Sequence, residues 1–97
     1  MKELCIPPSA EQDPKATEML RLWAANGKLD VSINLGCYEK KGLNEAHAWG
    51  VIITDFARHV SRGLAQRYGK NEEQVLAEIR DGFLAEIGNP TSDVEGE

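Results

Sequence analysis

The feature that most constrains the fold is one run of strictly alternating residues, from Leu29 to Cys37. Its apolar positions are Leu29, Val31, Ile33, Leu35 and Cys37, and the residues between them are Asp30, Ser32, Asn34 and Gly36. A period of two predicts a β-strand with one buried and one polar face. Gly36 is expected to mark a bulge or a bend.

This strand needs a partner, because a lone strand leaves both rows of backbone N–H and C=O groups unpaired. The segment Lys2–Ile6 is compatible with a second, short strand, but it covers only part of one edge. We therefore expect the strand to pair with its own copy about a two-fold axis, giving a homodimer through residues 29–38. Without a dimer, Lys2–Ile6 and the Tyr38–Leu43 region would have to cover the two edges.

The segment before the strand predicts a helix from Pro14 to Asn26. Asp13 suits the N-cap, and Pro14 suits the first helical position. Gly27 would supply the left-handed residue that ends the helix. The apolar stripe at helical spacing consists of Ala16, Met19, Leu20 and Trp23.

Two further helices are predicted after the strand and a charged turn. Asn44 can cap the second helix and Gly69 can end it. Its apolar stripe consists of Ala46, Trp49, Ile53, Phe56, Val60 and Leu64, widened by Gly50, Ile52 and Ala57. Asn71 with Gln74 is a capping-box variant that begins the third helix, which ends at Gly88. The stripe of the third helix consists of Val75, Leu76, Ile79, Phe83 and Ile87.

These elements predict an α+β fold with three helices and one main strand, in the order short β, α, β, α, α. A length of 97 residues is typical of a single domain. We predict one domain over residues 1–90. Residues 91–97 are predicted to be a disordered acidic tail, because they are few, mostly small and negatively charged.

Composition narrows the classes of partner. The net charge of -5 and the isoelectric point of about 5.0 provide no bulk attraction to nucleic acid. The first residues lack the apolar run of a signal peptide, and no stretch approaches the roughly 18 apolar residues of a membrane span. Cys5 and Cys37 form neither a CxxC pair nor a disulfide framework. We expect a cytoplasmic protein without nucleic-acid or membrane partners.

The candidate chemical groups are few. Asp55 and His59 share a helix face, which permits two metal ligands or a base with an orienting carboxylate, but an exposed ion pair is favoured because no third ligand is evident. Cys37 with His47 is a candidate nucleophile and base, but a cysteine on the inward face of a strand usually behaves as an apolar residue. We therefore assign no catalytic, cofactor-binding or metal-binding residue.

Three glycines lie inside the predicted helices, at Gly50, Gly63 and Gly82. Each costs about 1 kcal/mol relative to alanine in a helix. Two explanations stay open: close helix packing, within the chain or across a dimer, and chance.

Five segments carry a resemblance to a known family. They are Glu3–Pro8, Glu18–Trp23, Leu29–Tyr38, Glu45–Gly50 and Asp55–His59. Together they resemble a family of small bacterial proteins labelled domain of unknown function 5076, over nearly the whole chain except the tail. The resemblance implies a bacterial, cytoplasmic, stand-alone domain, and it brings no activity, cofactor or catalytic residue.

Three functional hypotheses follow. The favoured one is a non-catalytic interaction or accessory protein that forms a homodimer. The second is a regulator similar to the ribbon-helix-helix repressors, although the polar strand face offers Asp30, Ser32 and Asn34 and no basic residue. The third is a small-molecule binder or an enzyme of unknown reaction that uses Cys37, His47, or Asp55 with His59, which would require a deep pocket holding two of these groups.

Overall fold

The computed structural model describes residues 3–91 of the chain, and these residues divide into two units. The first unit, up to Leu35, contains α1 (Pro8–Gln12), β1 (Leu20–Ala25) and β2 (Lys28–Ile33). The second unit, from Gly36, contains a 3-10 turn (Glu39–Lys41), α2 (Glu45–Tyr68) and α3 (Glu72–Gly88). The α+β class is confirmed, but the observed order of α, β, β, α, α differs from the predicted one.

Strand β1 lies where a helix was predicted from Pro14 to Asn26, so that prediction is wrong. Asn26 and Gly27 have φ values of 53° and 78°, as the two central residues of a type I′ turn require. This turn joins neighbouring antiparallel strands, and β1 pairs with β2 along its full length. An Asn-Gly pair is the strongest local signal for a hairpin, and here it prevails over the helical spacing of the preceding apolar residues.

Two smaller predictions for the N-terminal region are also wrong. Residues 3–7 have no secondary structure, so the strand proposed for Lys2–Ile6 is absent over its described part, and Lys2 lies outside the described residues. Pro8 instead begins α1, a position in which proline loses no hydrogen bond. Asp13 does not cap a long helix; its Oδ1 accepts a hydrogen bond from the Lys15 N–H at 2.9 Å.

Strand β2 confirms the first part of the strand predicted from Leu29 to Cys37, but it ends at Ile33. The bend expected at Gly36 is present, with a φ of 103° that favours glycine. The premise of a lone strand is corrected, because β1 is the partner of β2 within the chain. One edge of β2 is therefore satisfied without a second copy.

Both long helices begin and end as predicted. The Asn44 side chain accepts a hydrogen bond from the His47 N–H at 3.1 Å, and the Asn71 side chain accepts one from the Gln74 N–H at 2.9 Å. Gly69 adopts a left-handed φ of 64° and ends α2. Since the connection is so short, α2 and α3 pack side by side as a helical hairpin.

Burial within the described residues is slight. Only Ser61 and Val75 are buried, with exposed fractions of 1% and 4%. The Ser61 hydroxyl donates a hydrogen bond to the Ala57 carbonyl at 2.8 Å, so this buried polar group is satisfied. The half-buried residues around them are Ala57, Leu64, Ala65, Leu76, Ala77 and Ile79.

Residues 92–97 of the predicted tail lie outside the described residues, and the single domain over residues 1–90 stays a prediction. No helix within residues 3–91 is at once long enough and apolar enough to cross a membrane.

Candidate functional site

The histidine and cysteine candidates of the second unit do not form a metal centre. His59 Nε2 lies 3.4 Å from Asp55 Oδ2, and both side chains are well exposed. Cys37 is half-buried and His47 is exposed. Across residues 3–91, no three His, Cys, Asp or Glu side chains are grouped so that they could hold a metal ion. The Asp55–His59 contact is an exposed pair of side chains on one face of α2, and contacts of this kind contribute little to stability.

An open groove of about 630 Å³ lies in the first unit. Its lining consists of residues between Glu3 and Trp23, so it contains none of the cysteine, histidine and aspartate candidates of the second unit. Leu4 and Ile6 at its rim are 93% and 59% exposed, so packing does not close the groove. It is an open surface, largely apolar, that also carries the charged side chains of Glu3, Glu18 and Arg21.

A cluster of hydrogen bonds converges on Glu45, the first residue of α2, which was not singled out from the sequence. Its Oε2 accepts hydrogen bonds from the Gly36 N–H at 2.7 Å and from Trp49 Nε1 at 3.3 Å. Its Oε1 accepts hydrogen bonds from the N–H groups of Tyr38 and Glu39, each at 3.1 Å. One carboxylate therefore fastens the loop before α2 to the start of the helix. We call this cluster the Glu45 latch.

The latch changes the acidity of its carboxyl group. The hydrogen bond from the Gly36 N–H is the main cause that lowers the pKa of Glu45 below its ordinary value. Burial opposes this shift, and the bonds from Glu39, Trp49 and Tyr38 add to it. Because the pKa is lower in the folded than in the unfolded chain, the ionised latch stabilises the fold above the ordinary glutamate pKa. That stabilisation is lost as the pH falls through the folded pKa.

We expect acidification to destabilise the native protein more than a Glu45→Gln variant, since glutamine keeps the shape of the side chain but cannot ionise. Urea midpoints at about pH 7 and about pH 3, followed by circular dichroism, measure the difference. Glu78→Gln, on the exposed surface of α3, is the matched control and should keep the native pH dependence. Identical pH dependence in the native and Glu45→Gln proteins would contradict the role of the latch.

One face of the β1–β2 hairpin is entirely apolar. Residues directly opposite in an antiparallel pair point to the same face, and the register sets Leu22 opposite Val31. The face consists of Leu20, Leu22, Ala24, Leu29, Val31 and Ile33. Leu22 and Leu29 are 44% and 62% exposed, so much of it is uncovered. We call it the hairpin face.

The outer edge of β2 can be identified from the hydrogen-bond pattern. The Asn34 N–H donates to the Met19 carbonyl at 2.9 Å, which makes these two residues a hydrogen-bonded pair. Such pairs alternate along an antiparallel ladder, so Arg21 and Ser32 bond each other while the Val31 N–H and C=O point away from β1. In the described sheet of two strands, no strand pairs with this outer edge.

A second uncovered surface lies on α2, on a different side of the helix from the buried Ser61. Ile53 and Phe56 are 45% and 51% exposed. The half-buried side chains of Trp49, Ile52 and Val60 lie on the same side. We call these five residues the α2 stripe. Much of the stripe that was predicted to be core is therefore open.

The apolar stripe of α3 is buried near the start of the helix and exposed near its end. Val75 near its start is buried, whereas Phe83 and Ile87 on the same stripe are 49% and 64% exposed.

A Cβ atom added at Gly50, Gly63 or Gly82 would meet no atom within 4 Å. Close packing inside the described chain is therefore not the reason for these glycines.

The sequence matches the family model for the domain of unknown function DUF5076 over residues 3–91, so the chain belongs to this family. The resemblance seen in the sequence is thereby confirmed.

The chain is also similar to a solved structure from Rhodopseudomonas palustrus CGA009, provisionally described as a pyruvate dehydrogenase. The two chains are 28% identical, the match covers 100% of this chain and 94% of that chain, and the TM-score is 0.73. No match was found among curated proteins.

Proposed function

We propose that this protein is a non-catalytic interaction module that self-associates through residues 29–38, along the outer edge of β2. The observation that carries the proposal is the hairpin face, which is wholly apolar and largely uncovered. The proposed compartment is a reducing bacterial cytoplasm, because the two cysteines of the sequence form neither a CxxC pair nor a disulfide framework.

Pairing two copies would relieve a specific weakness of the first unit. An isolated two-stranded hairpin is marginally stable in water, whereas a sheet of four strands with a continuous apolar face can be stable. The edge-to-edge contact would place the two copies of Val31 near a two-fold axis and join both hairpin faces. Apolar side chains of the two β2 strands would then be neighbours on one face of the sheet, and such cross-strand pairs contribute roughly 0.2–1 kcal/mol each in addition to the backbone hydrogen bonds.

A proline at Val31 tests this interface. Edge strands tolerate proline where the lost N–H faces outward, so Val31→Pro should leave the β1–β2 ladder intact but remove a donor from the intermolecular one. We expect the mass from light scattering at micromolar concentration to be halved, with the dissociation constant raised at least ~10-fold. Val31→Ala shortens the same side chain but keeps its N–H, and it should retain the native mass.

Two outcomes would overturn the proposal: a monomeric native protein, or a native mass for Val31→Pro. Proline at Ser32 or Asn34 is a separate case, because their N–H groups face β1. Those substitutions should open the hairpin itself, so they do not isolate the interface.

The description of the Rhodopseudomonas relative raises a second candidate, a role in the oxidation of pyruvate. The similarity extends over nearly the full length of both chains, which favours a shared role for chains of this size. Oxidation of a 2-oxo acid depends on a cofactor, and the open groove of the first unit presents chiefly apolar side chains to a ligand. An accessory role therefore suits the chain better than catalysis. Turnover of pyruvate by the purified protein with an added electron acceptor would favour this second candidate.

A ribbon-helix-helix regulator is less well supported than it was from the sequence. In that class each chain contributes one strand to a sheet shared by two chains. Here both strands of the described sheet come from one chain, joined by the Asn26-Gly27 turn.

A further inference from the structure

We propose that residues 3–7 form a strap that closes over the open groove of the first unit and covers the outer edge of β1. In the structure the strap is open, without secondary structure, and its Leu4 and Ile6 side chains are 93% and 59% exposed. In the closed state these two side chains pack beside Leu20 and Leu22 and so extend the hairpin face. The strap closes within one chain, so it does not depend on the proposed self-association.

An ion pair already tethers the strap to β1. Arg21 Nη1 donates a hydrogen bond to Glu3 Oε2 at 2.6 Å. The same guanidinium group is oriented by Glu18, whose two carboxylate oxygens accept hydrogen bonds from Nε and Nη2 at 3.1 and 3.2 Å. Because an exposed ion pair is weak, this tether keeps the strap beside β1 without fixing it in one position.

The tether also determines which side chains of the strap meet the hairpin face. Successive residues of a strand point to opposite faces, so Arg21 lies on the face of the hairpin opposite to the apolar one. An extended strap that brings Glu3 to the Arg21 side directs Leu4 and Ile6 to the other side, where the hairpin face lies. Pro7, at the end of the strap, already has an extended backbone, with a φ of -59° and a ψ of 141°.

The groove lies where the closed strap would fit. Its volume is about 630 Å³, and it is lined both by residues 3–7 and by residues 20–23. Closure would therefore bring together two segments that already border the same space. This occupant is a described segment of the chain itself, and it carries the apolar side chains that the largely apolar groove requires.

The outer edge of β1 supplies a physical reason for closure. Since Arg21 and Ser32 bond each other, the N–H and C=O groups of Leu20 and Leu22 point away from β2. In the part of the chain that the structure describes, no strand pairs with this edge. Open edges promote unwanted pairing between chains, and proteins commonly cover them with another segment. The closed strap would protect the edge of β1 and leave the outer edge of β2 accessible.

Hydrogen exchange of the Leu20 and Leu22 amides tests the apolar part of the strap. We expect these amides to exchange at least ~10-fold more slowly in the native protein than in Leu4→Ser, because serine removes most of the apolar surface that favours closure. Leu4→Ile keeps an apolar side chain and should retain the native protection. A side chain that is 93% exposed could be replaced without effect if the strap stayed open. Free exchange of both amides in the native protein would overturn the proposal.

A charge reversal tests the tether. Glu3→Lys sets a cation beside Arg21 and should lower the protection of the same two amides by a similar factor. Glu11→Lys makes the same change of charge on α1, at an exposed side chain outside the groove lining, and should keep the native protection. Native protection in both Glu3→Lys and Leu4→Ser, or equal effects of Glu3→Lys and Glu11→Lys, would contradict the strap. Protection that rises with protein concentration would assign the edge to a second copy instead and refute closure within one chain.

Discussion

Replacing Gly27 with alanine is expected to destabilise the β1–β2 hairpin by about 1–2 kcal/mol, which is the cost of a left-handed residue that carries a Cβ. Gly27 has a φ of 78° in a turn that can form only with positive φ at both central positions. A two-stranded hairpin is marginal, so a loss of this size should remove most of its population. Hydrogen exchange of the β1 amides measures the effect, as faster exchange in the variant.

Gly88→Ala is the matched control for this prediction. Gly88 lies at the end of α3, its φ is not positive, and an added Cβ there would meet nothing within 4 Å. The control should be neutral or should stabilise the helix by up to about 1 kcal/mol. If the β1 amides of Gly27→Ala were as protected from hydrogen exchange as those of the native protein, the turn would not be what stabilises the hairpin. The result also bears on self-association, because the β2 edge is presented by this hairpin.

Replacing Val75 with alanine is expected to destabilise the second unit by about 2 kcal/mol, from two lost methyl groups and the cavity that they leave. Val75 is 4% exposed, and it is the buried apolar residue of the described chain. Urea unfolding followed by circular dichroism gives the change in the free energy of unfolding. The effect should be large relative to the total stability, because so few other residues of this unit are buried.

Val51→Ala is the control, since it makes the same chemical change on α2 at a side chain that is 57% exposed. The gain in helix propensity is shared by both variants, and Val51→Ala should change the free energy of unfolding by less than about 0.5 kcal/mol. Equal effects of the two substitutions would show that contact between α2 and α3 at Val75 does not dominate the stability of this unit.

Self-association has a different physical basis in the structure from the one that the sequence suggested. The sequence suggested a lone strand that needed a second copy for both of its edges. Strand β1 now occupies one edge, so unpaired backbone groups account for less of the expected attraction. The apolar hairpin face replaces them as the main reason, because it brings side chains of β1 as well as β2 to the same uncovered side.

The misread segment shows where local patterns are ambiguous. Leu20 and Trp23 fit a helical stripe, but Leu20 and Leu22 fit a strand face equally well. The Asn26-Gly27 pair could have decided between the two, since it favours a hairpin turn over the end of a helix. Gly27 was correctly predicted to be left-handed, but its positive φ serves a turn between strands.

No pattern in the sequence predicts the Glu45 latch. Glu45 is an acidic residue in the first turn of α2, which is ordinary for a helix start and did not single it out. Its partners stand six to nine residues earlier in a loop whose path no periodicity predicts. Only the folded geometry brings those N–H groups to one carboxylate.

The sequence alone determined the elements whose causes are local. The caps at Asn44 and Asn71 and the stop at Gly69 depend on atoms within about four residues of each other, and all three are confirmed. Strand β2 was likewise predicted, because apolar and polar residues that alternate along the sequence indicate the two faces of a strand. Family membership also followed from the chain itself.

The tertiary structure determined which apolar surfaces of those local elements are covered and which stay exposed. The apolar stripes of α2 and α3 were visible in the sequence, but periodicity states only which side is apolar and not whether anything covers it. Burial depends on which segments meet in space, and within the described chain the meeting of α2 with α3 leaves Phe56 and Phe83 half exposed. The pairing of β1 with β2 and the closing of the Glu45 latch are of the same kind, since each joins groups that the chain brings together only when it folds.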